Sequence, residues 1–212
     1  MNQAGVQLVC FDLGGVLLRI CRSWAEGCAA AGLELRDGRD LLHRPSDGWN
    51  ELNDLYQRGR LSRDEYARRF SDATGGLYSP EEIIRVHEAW ILGEYEGVGD
   101  VIRRIGEAGL DTAVLSNTTH EHWLTLPRYP SLQLLKNRLA SHELGLRKPE
   151  EASYRAVEQH TGQAGASILF FDDLEENILG ARAAGWRAER IDPFRPTAEQ
   201  MMTALHEHGV LA

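Results

Sequence analysis

Asp12, Ser116, Lys148 and the adjacent pair Asp172-Asp173 are the residues of this 212-residue chain whose types and settings suit chemistry. Asp12 ends an apolar run at 6–11 (VQLVCF) and precedes Gly14-Gly15. Ser116-Asn117 follow the β-forming residues 112–115, Asp172-Asp173 follow SILFF at 167–171, and Arg147-Lys148-Pro149 open a helix. Carboxylates gathered from two strand ends suit a hard divalent cation, Mg²⁺ first, which takes a couple of carboxylates together with substrate phosphate and water. A nearby lysine supplies a point charge for a phosphate, and a serine hydroxyl with backbone N–H groups supplies hydrogen-bond donors. The set suggests metal-assisted phosphoryl transfer with Asp12 as candidate nucleophile. Each residue alone has a plainer role. Asp or Ser after a strand commonly caps a helix, and a lysine before proline usually sits at the surface. Adjacent carboxylates, however, repel each other without a counter-ion, and it is the ordered set that carries the argument.

These residues lie far apart in sequence, so a fold must gather them. In open α/β sheets the site forms beyond the carboxyl ends of the strands. The runs at 6–11 and 167–171 are continuously apolar, as in strands covered on both faces. Val98, Val101, Ile102, Ile105 and Ala108 form a helical stripe closed by Gly109. Residues 150–160 and 175–184 read as helices, the second closed by Gly185, and 186–191 as a further strand. This alternation predicts a doubly wound parallel sheet. From 17 to 95 the sequence reads as helical, with no comparable strand run. Ser62 with Glu65 reads as a capping box, and Ser79-Pro80-Glu81-Glu82 as an N-cap, an N1 proline and an acidic first turn. The expectation is one α/β domain, residues 1–16 and 97–212, carrying an inserted helical cap at 17–96.

Composition narrows the function classes. Hydrophobic residues at 42% and charged residues at 26% are ordinary for a soluble globular protein. Acidic residues (32) outnumber basic ones (23), the net charge is −9, and no Lys/Arg cluster exceeds a pair, which disfavours nucleic acid as a partner. No apolar run approaches the ~20 residues of a membrane span, and the first residues lack a secretory pattern. Cys10, Cys21 and Cys28, an odd number without metal-ligand spacing, fit a reducing cytoplasm. A cytoplasmic monomer or homodimer with a small-molecule substrate is expected.

Taken in order, FDLGGVL (11–17), VLSNT (114–118), LRKPEEASY (146–154) and FFDDLEENILGARAAG (170–185) closely resemble the four motifs of the haloacid dehalogenase (HAD) superfamily, and the helical block sits where that superfamily inserts a cap. Within it the chain looks most like the bacterial α-D-glucose-1-phosphate phosphatase and the phosphatase-like N-terminal domain of epoxide hydrolases, with LGLRKPE and YQRGRLSRDEY adding to the likeness. The resemblance implies a Rossmann-like core and a Mg²⁺-dependent phosphomonoesterase acting on a small phosphorylated metabolite, sugar 1-phosphates first. It implies that Asp12 is the nucleophile and a metal ligand. Ser116 would bind the transferring phosphoryl oxygens with Asn117 beside it, and Lys148 would neutralise charge between phosphate and Asp12. Leu13 and Gly14 are implied substrate contacts. The Gly14 carbonyl, Asp173 and Asp172 complete the metal set, Asp172 as a second ligand or a holder of metal-bound water. Asn177 would support this loop. The dehalogenase branch needs no metal and would have little use for Asp172-Asp173.

One position departs from the pattern. The superfamily's usual general acid–base aspartate, whose help is typically worth ~10²–10⁴-fold, is here Gly14. A cap residue or a water then supplies the proton (His43, Asp47 and Glu51 are polar cap candidates), or the leaving group is an easy one, or turnover is lost and a phosphate-ester binding or regulatory protein remains. The HEH triplets at 120–122 and 206–208 read as solvated, since alternating helix positions face different ways, with His120 and His122 at most bordering a pocket rim. Trp24, Trp49 and Trp90 read as cap core, and Cys10 as inert. No GxxxxGK[ST] is present and no GxGxxG follows a strand, so nucleotide-cradling loops of those types are not expected.

Overall fold

The computed structural model describes residues 5–36 and 49–211. Strand β1 (Leu8–Phe11) leads through a tight loop to β2 (Leu18–Ile20). Helices α1 (Trp24–Ala30), α2 (Trp49–Gln57), α3 (Arg63–Ala73) and α4 (Pro80–Glu88) follow, and β3 (Ile91–Glu94) returns the chain. Next come α5 (Val98–Glu107), β4 (Asp111–Ser116), α6 (His120–Thr125), β5 (Asn137–Ala140) and α7 (Ser141–Leu144). The chain ends with α8 (Glu151–Thr161), β6 (Ile168–Asp172), α9 (Glu175–Ala183), β7 (Arg187–Arg190) and α10 (Thr197–Glu207).

The main sheet has the order β5-β4-β1-β6-β7, with every neighbouring pair parallel. This is the doubly wound α/β architecture that the strand–helix alternation predicts. β1 is central, so both its faces are buried and all four of its residues are apolar, alternating between two cores. Val9 and Phe11 join Val101, Ile105, Phe171, Met201 and Leu205 under α5 and α10. Leu8 and Cys10 join Tyr154, Val157, Phe170, Ile178 and Trp186 under α8 and α9. Phe11 stacks on Phe171 across the β1–β6 pair, with ring centroids 5.8 Å apart. Thr197 at the start of α10 donates its hydroxyl to the Val16 carbonyl at 2.9 Å, tying that helix to the loop after β1.

Helices α1–α4 build a core of their own from Trp24, Tyr56, Tyr66, Phe70, Tyr78, Ile83 and Val86. The two predicted helix starts are local facts of sequence. Ser79 and Glu82 form a reciprocal capping box ahead of Pro80, and Ser62 Oγ accepts the Glu65 N–H at 3.3 Å. The same block departs from the purely helical reading, because β2 and β3 pair as an antiparallel ribbon. Strands of three and four residues show too little alternation to register, and their pairing joins segments about seventy positions apart. Among the described residues no helix is long and apolar enough to cross a membrane.

Candidate active site

The carboxyl ends of β1, β4 and β6 meet at one edge of the sheet. Asp12 directly follows β1 and extends its ladder, its N–H donating to the Phe171 carbonyl at 2.8 Å. Asp172 ends β6 and Asp173 follows it. One carboxylate oxygen from each of Asp12, Asp172 and Asp173 lies within 4.8 Å of the others, and all three residues are buried. Lys148 reaches into this group from the loop before α8, its Nζ 2.8 Å from Asp12 Oδ1 and 2.7 Å from Asp172 Oδ2. Asn117, one residue past β4, fixes that loop. Its Nδ2 donates to the Lys148 carbonyl and its Oδ1 accepts the Lys148 N–H, each at 2.9 Å. The Asn117 side chain therefore positions the lysine, which leaves its backbone N–H to face a ligand.

Asp172 is held by protein donors on both oxygens. Besides Lys148 it accepts the Leu174 N–H at 2.8 Å, and Asn177 Nδ2 lies 3.0 Å from each oxygen. Asp173 pairs with Arg22 on the loop before α1, at 2.6 Å. Nothing in the spacing of Arg22 marks it, since it is brought to the site by the β2–β3 ribbon and not by a strand end. Three carboxylates are thus met by two cations. Burial, only partly offset by Lys148, pushes the Asp12 carboxyl up to about 7, and burial also raises Asp173. Burial works against a charged Lys148, yet the flanking Asp12 and Asp172 charges hold its ammonium above the usual range. An all-oxygen, buried donor set short of one positive charge fits a hard divalent cation.

The loop after Asp12 is tight by necessity. The Leu13 carbonyl accepts N–H groups from Val16, Leu17 and Leu18, and Gly15 adopts φ +88. A Cβ at position 15 would stand 2.2 Å from Arg22 Nη2 and 2.6 Å from Asp173 Oδ2. Gly15→Ala is therefore expected to destabilise the protein by about 1–3 kcal/mol and to weaken metal-dependent behaviour, measured by denaturant melts with and without Mg²⁺. Wild-type stability would show that the loop re-forms around a side chain. Gly14 has the opposite character. A Cβ there would meet only the flexible end of Ile20, whose Cδ1 lies 2.8 Å away. An apolar side chain of β2 thus occupies the direction in which an acid would project.

Among the described residues, the N–H groups of Leu13, Gly14 and Asn117, the Gly14 carbonyl and the Ser116 hydroxyl have no hydrogen-bond partner within the protein. Unpaired donors at two adjoining strand ends make a ready anion cradle. Of the cap candidates for the missing acid, His43 and Asp47 lie outside the described residues, and Glu51 is exposed. The HEH expectation needs correction at His122. His120 is exposed, but His122 turns inward and stacks on His87, with centroids 4.1 Å apart and planes 9° apart. Alternate helix positions do diverge, and one of these histidines thereby lies against His87 of α4. Cys10 is fully buried, and burial pushes its thiol up to about 12. Trp24 is core of the helical block and Trp90 packs against that core.

The family model of haloacid dehalogenase-like hydrolases matches residues 6–185, and the chain belongs to that family. It is similar to the phosphatase MT3486 of Mycobacterium tuberculosis (strain CDC 1551 / Oshkosh), 27% identical over 217 residues that cover 97% of this chain and 96% of that protein. Its fold matches the HAD family enzyme bt-2542 of Bacteroides thetaiotaomicron in complex with magnesium and inorganic phosphate, with a TM-score of 0.72 and 20% identity over 90% of this chain and 96% of that one. It also matches the L-2-haloacid dehalogenase of Xanthobacter autotrophicus, with a TM-score of 0.61 and 21% identity over 88% and 77% of the two chains.

Proposed function

We propose that this hydrolase is a Mg²⁺-dependent phosphomonoesterase that hydrolyses a small phosphorylated metabolite through an aspartyl-phosphate on Asp12. The observation that supports it best is the Lys148 ammonium shared between Asp12 and Asp172 at 2.8 and 2.7 Å, beside a strand-end cradle of unpaired donors. The similarity to a phosphatase and the fold shared with an enzyme crystallised with magnesium and phosphate point the same way. Haloacid dehalogenation needs no metal and would have little use for Asp172 and Asp173 beside Asp12.

In this reading the Ser116 hydroxyl and the N–H groups of Leu13, Gly14 and Asn117 take the phosphoryl oxygens. Lys148 balances charge between them and Asp12. An Asp12 oxygen attacks phosphorus, the bond to the substrate oxygen breaks, and the alcohol leaves with a proton drawn from solvent. Water then attacks the same phosphorus and frees the Asp12 carboxylate and inorganic phosphate. Asp12, Asp173 and the Gly14 carbonyl, with Asp172 behind them, would hold Mg²⁺, which when bound supplies charge neutralisation for phosphate and carboxylates. Arg22 pairs with Asp173 and balances its charge. The helical block at 17–96 acts as the cap that excludes water and selects the substrate. The sugar 1-phosphates singled out by resemblance share the phosphoryl end; substrates are distinguished by what lies beyond it.

The test is phosphate release from a panel of phosphate esters with Mg²⁺ and with EDTA, alongside thermal melts. Release in Mg²⁺ and none in EDTA is expected. Mg²⁺ at about a hundred times its Kd should stabilise the fold by about 2.7 kcal/mol, and Asp173→Asn should lose most of that shift. Release unaffected by EDTA, or no melt shift in wild type, would refute the metal site.

A further inference from the structure

The cavity over the site describes the alcohol that the enzyme releases. It has a volume of about 180 Å³. Leu13, Gly14, Ser116 and Asn117 form its floor, so it opens onto the proposed phosphoryl position. Its walls come chiefly from Ile20 of the ribbon, Trp24, Val86, His87 and Trp90 of the helical block, and His122 of α6. Among the described residues none of its lining side chains is Asp, Glu, Lys or Arg. Burial lowers the pKa of both histidines, so they are uncharged near neutrality.

Several polar groups on the walls are already engaged. The Tyr66 hydroxyl donates to Asn53 Oδ1 at 2.9 Å, His122 Nε2 bonds the His87 carbonyl at 2.7 Å, and the Asn117 amide holds Lys148. Among the described residues Gln57 Oε1 is buried with no partner. A polyol brought here would lose water from several hydroxyls and recover few hydrogen bonds, at roughly 1–3 kcal/mol for each left unpaired. Among the described lining residues a second anionic group would meet no cation. Flat rings suit the walls, where His87 stacks on His122 and Trp24, Tyr66 and Trp90 also line the space. A cavity of about 150 Å³ lined by apolar side chains accommodates benzene, so this one holds a single substituted ring.

Resting on the phosphomonoesterase reading, we propose that the substrate is an aromatic phosphomonoester whose alcohol part is uncharged and about one ring in size. Such a group places apolar surface on Ile20, Val86 and the tryptophans, and its ring edge or face on the histidine pair. A phenolic alcohol would also leave readily without the acid that Gly14 lacks.

Benzyl phosphate, glycerol 1-phosphate and glucose 6-phosphate are all esters of primary alcohols, so leaving-group acidity does not separate them. With Mg²⁺ present, kcat/KM for benzyl phosphate is expected to exceed both others by on the order of 10²-fold. Trp90→Ala, at a half-buried position, should shrink that preference by about tenfold. Acetyl phosphate, too small to reach the walls, reports on the phosphoryl chemistry alone. Its hydrolysis together with equal or better use of the polyol phosphates would overturn the aromatic assignment and leave the phosphatase intact. A Trp90→Ala protein with undiminished preference would likewise overturn the assignment to this cavity. If none of the four compounds is hydrolysed, the phosphomonoesterase reading falls and this inference with it.

Discussion

Asp12→Asn is expected to lower phosphate release by on the order of 10⁴-fold or more, the scale seen when a covalent nucleophile is removed. The change is nearly isosteric and removes one of three crowded carboxylates, so the folded state should be no less stable than wild type. The wild-type Asp12 carboxyl sits in a buried setting that pushes it up to about 7, and a neutral amide escapes that penalty. Steady-state assays of phosphate release paired with denaturant melts separate the two effects. A stable Asp12→Asn protein that retains more than about a tenth of its activity would exclude Asp12 as nucleophile.

Lys148→Met carries the largest expected effect on stability. Lys148 is buried and bridges Asp12 and Asp172. Without it three buried carboxylates share only Arg22, which pairs with Asp173 alone. Removing one partner of a buried ion pair typically costs about 3–5 kcal/mol, because the remaining charge is left uncompensated. Turnover should also fall by on the order of 10²–10³-fold, the usual cost of losing a preorganised group that stabilises transition-state charge. Equilibrium unfolding in urea reads the first effect and kcat the second. Stability within about 1 kcal/mol of wild type would mean that Lys148 is not what balances these carboxylates.

Much of this arrangement was legible in the sequence, and the reason is physical. Central parallel strands must be apolar on both faces, so VQLVCF and SILFF stand out as runs, and the first polar residue after each marks the sheet edge. Asp12, Ser116 and Asp172 are found that way. Lys148 lies in a loop, and only the order of the motifs flags it. Elements that depend on distant pairing escaped. The ribbon of β2 and β3 has no local signature, β5 (Asn137–Ala140) is half polar, and α10 (Thr197–Glu207) starts without a side-chain cap. Because the ribbon was missed, so were its consequences, namely Arg22 on Asp173 and Ile20 beside Gly14. His122 reads as solvated from sequence because its partner, His87, lies thirty-five positions earlier, on α4. The missing aspartate at Gly14 was visible from sequence alone, but what replaces it became a question of shape only when Ile20 was seen to fill that direction.

Gly14 also sharpens the decisive experiment. A glycine there neither protonates the leaving group nor activates water for the second step, so the phosphorylated enzyme should accumulate during turnover. Rapid acid quench of the Mg²⁺-loaded protein turning over p-nitrophenyl phosphate, followed by intact and fragment mass analysis, reads this directly. Added mass equal to one phosphoryl group is expected, located on Asp12 and absent from Asp12→Asn. Steady phosphate release with no phosphoryl group on Asp12 at any quench time would contradict it.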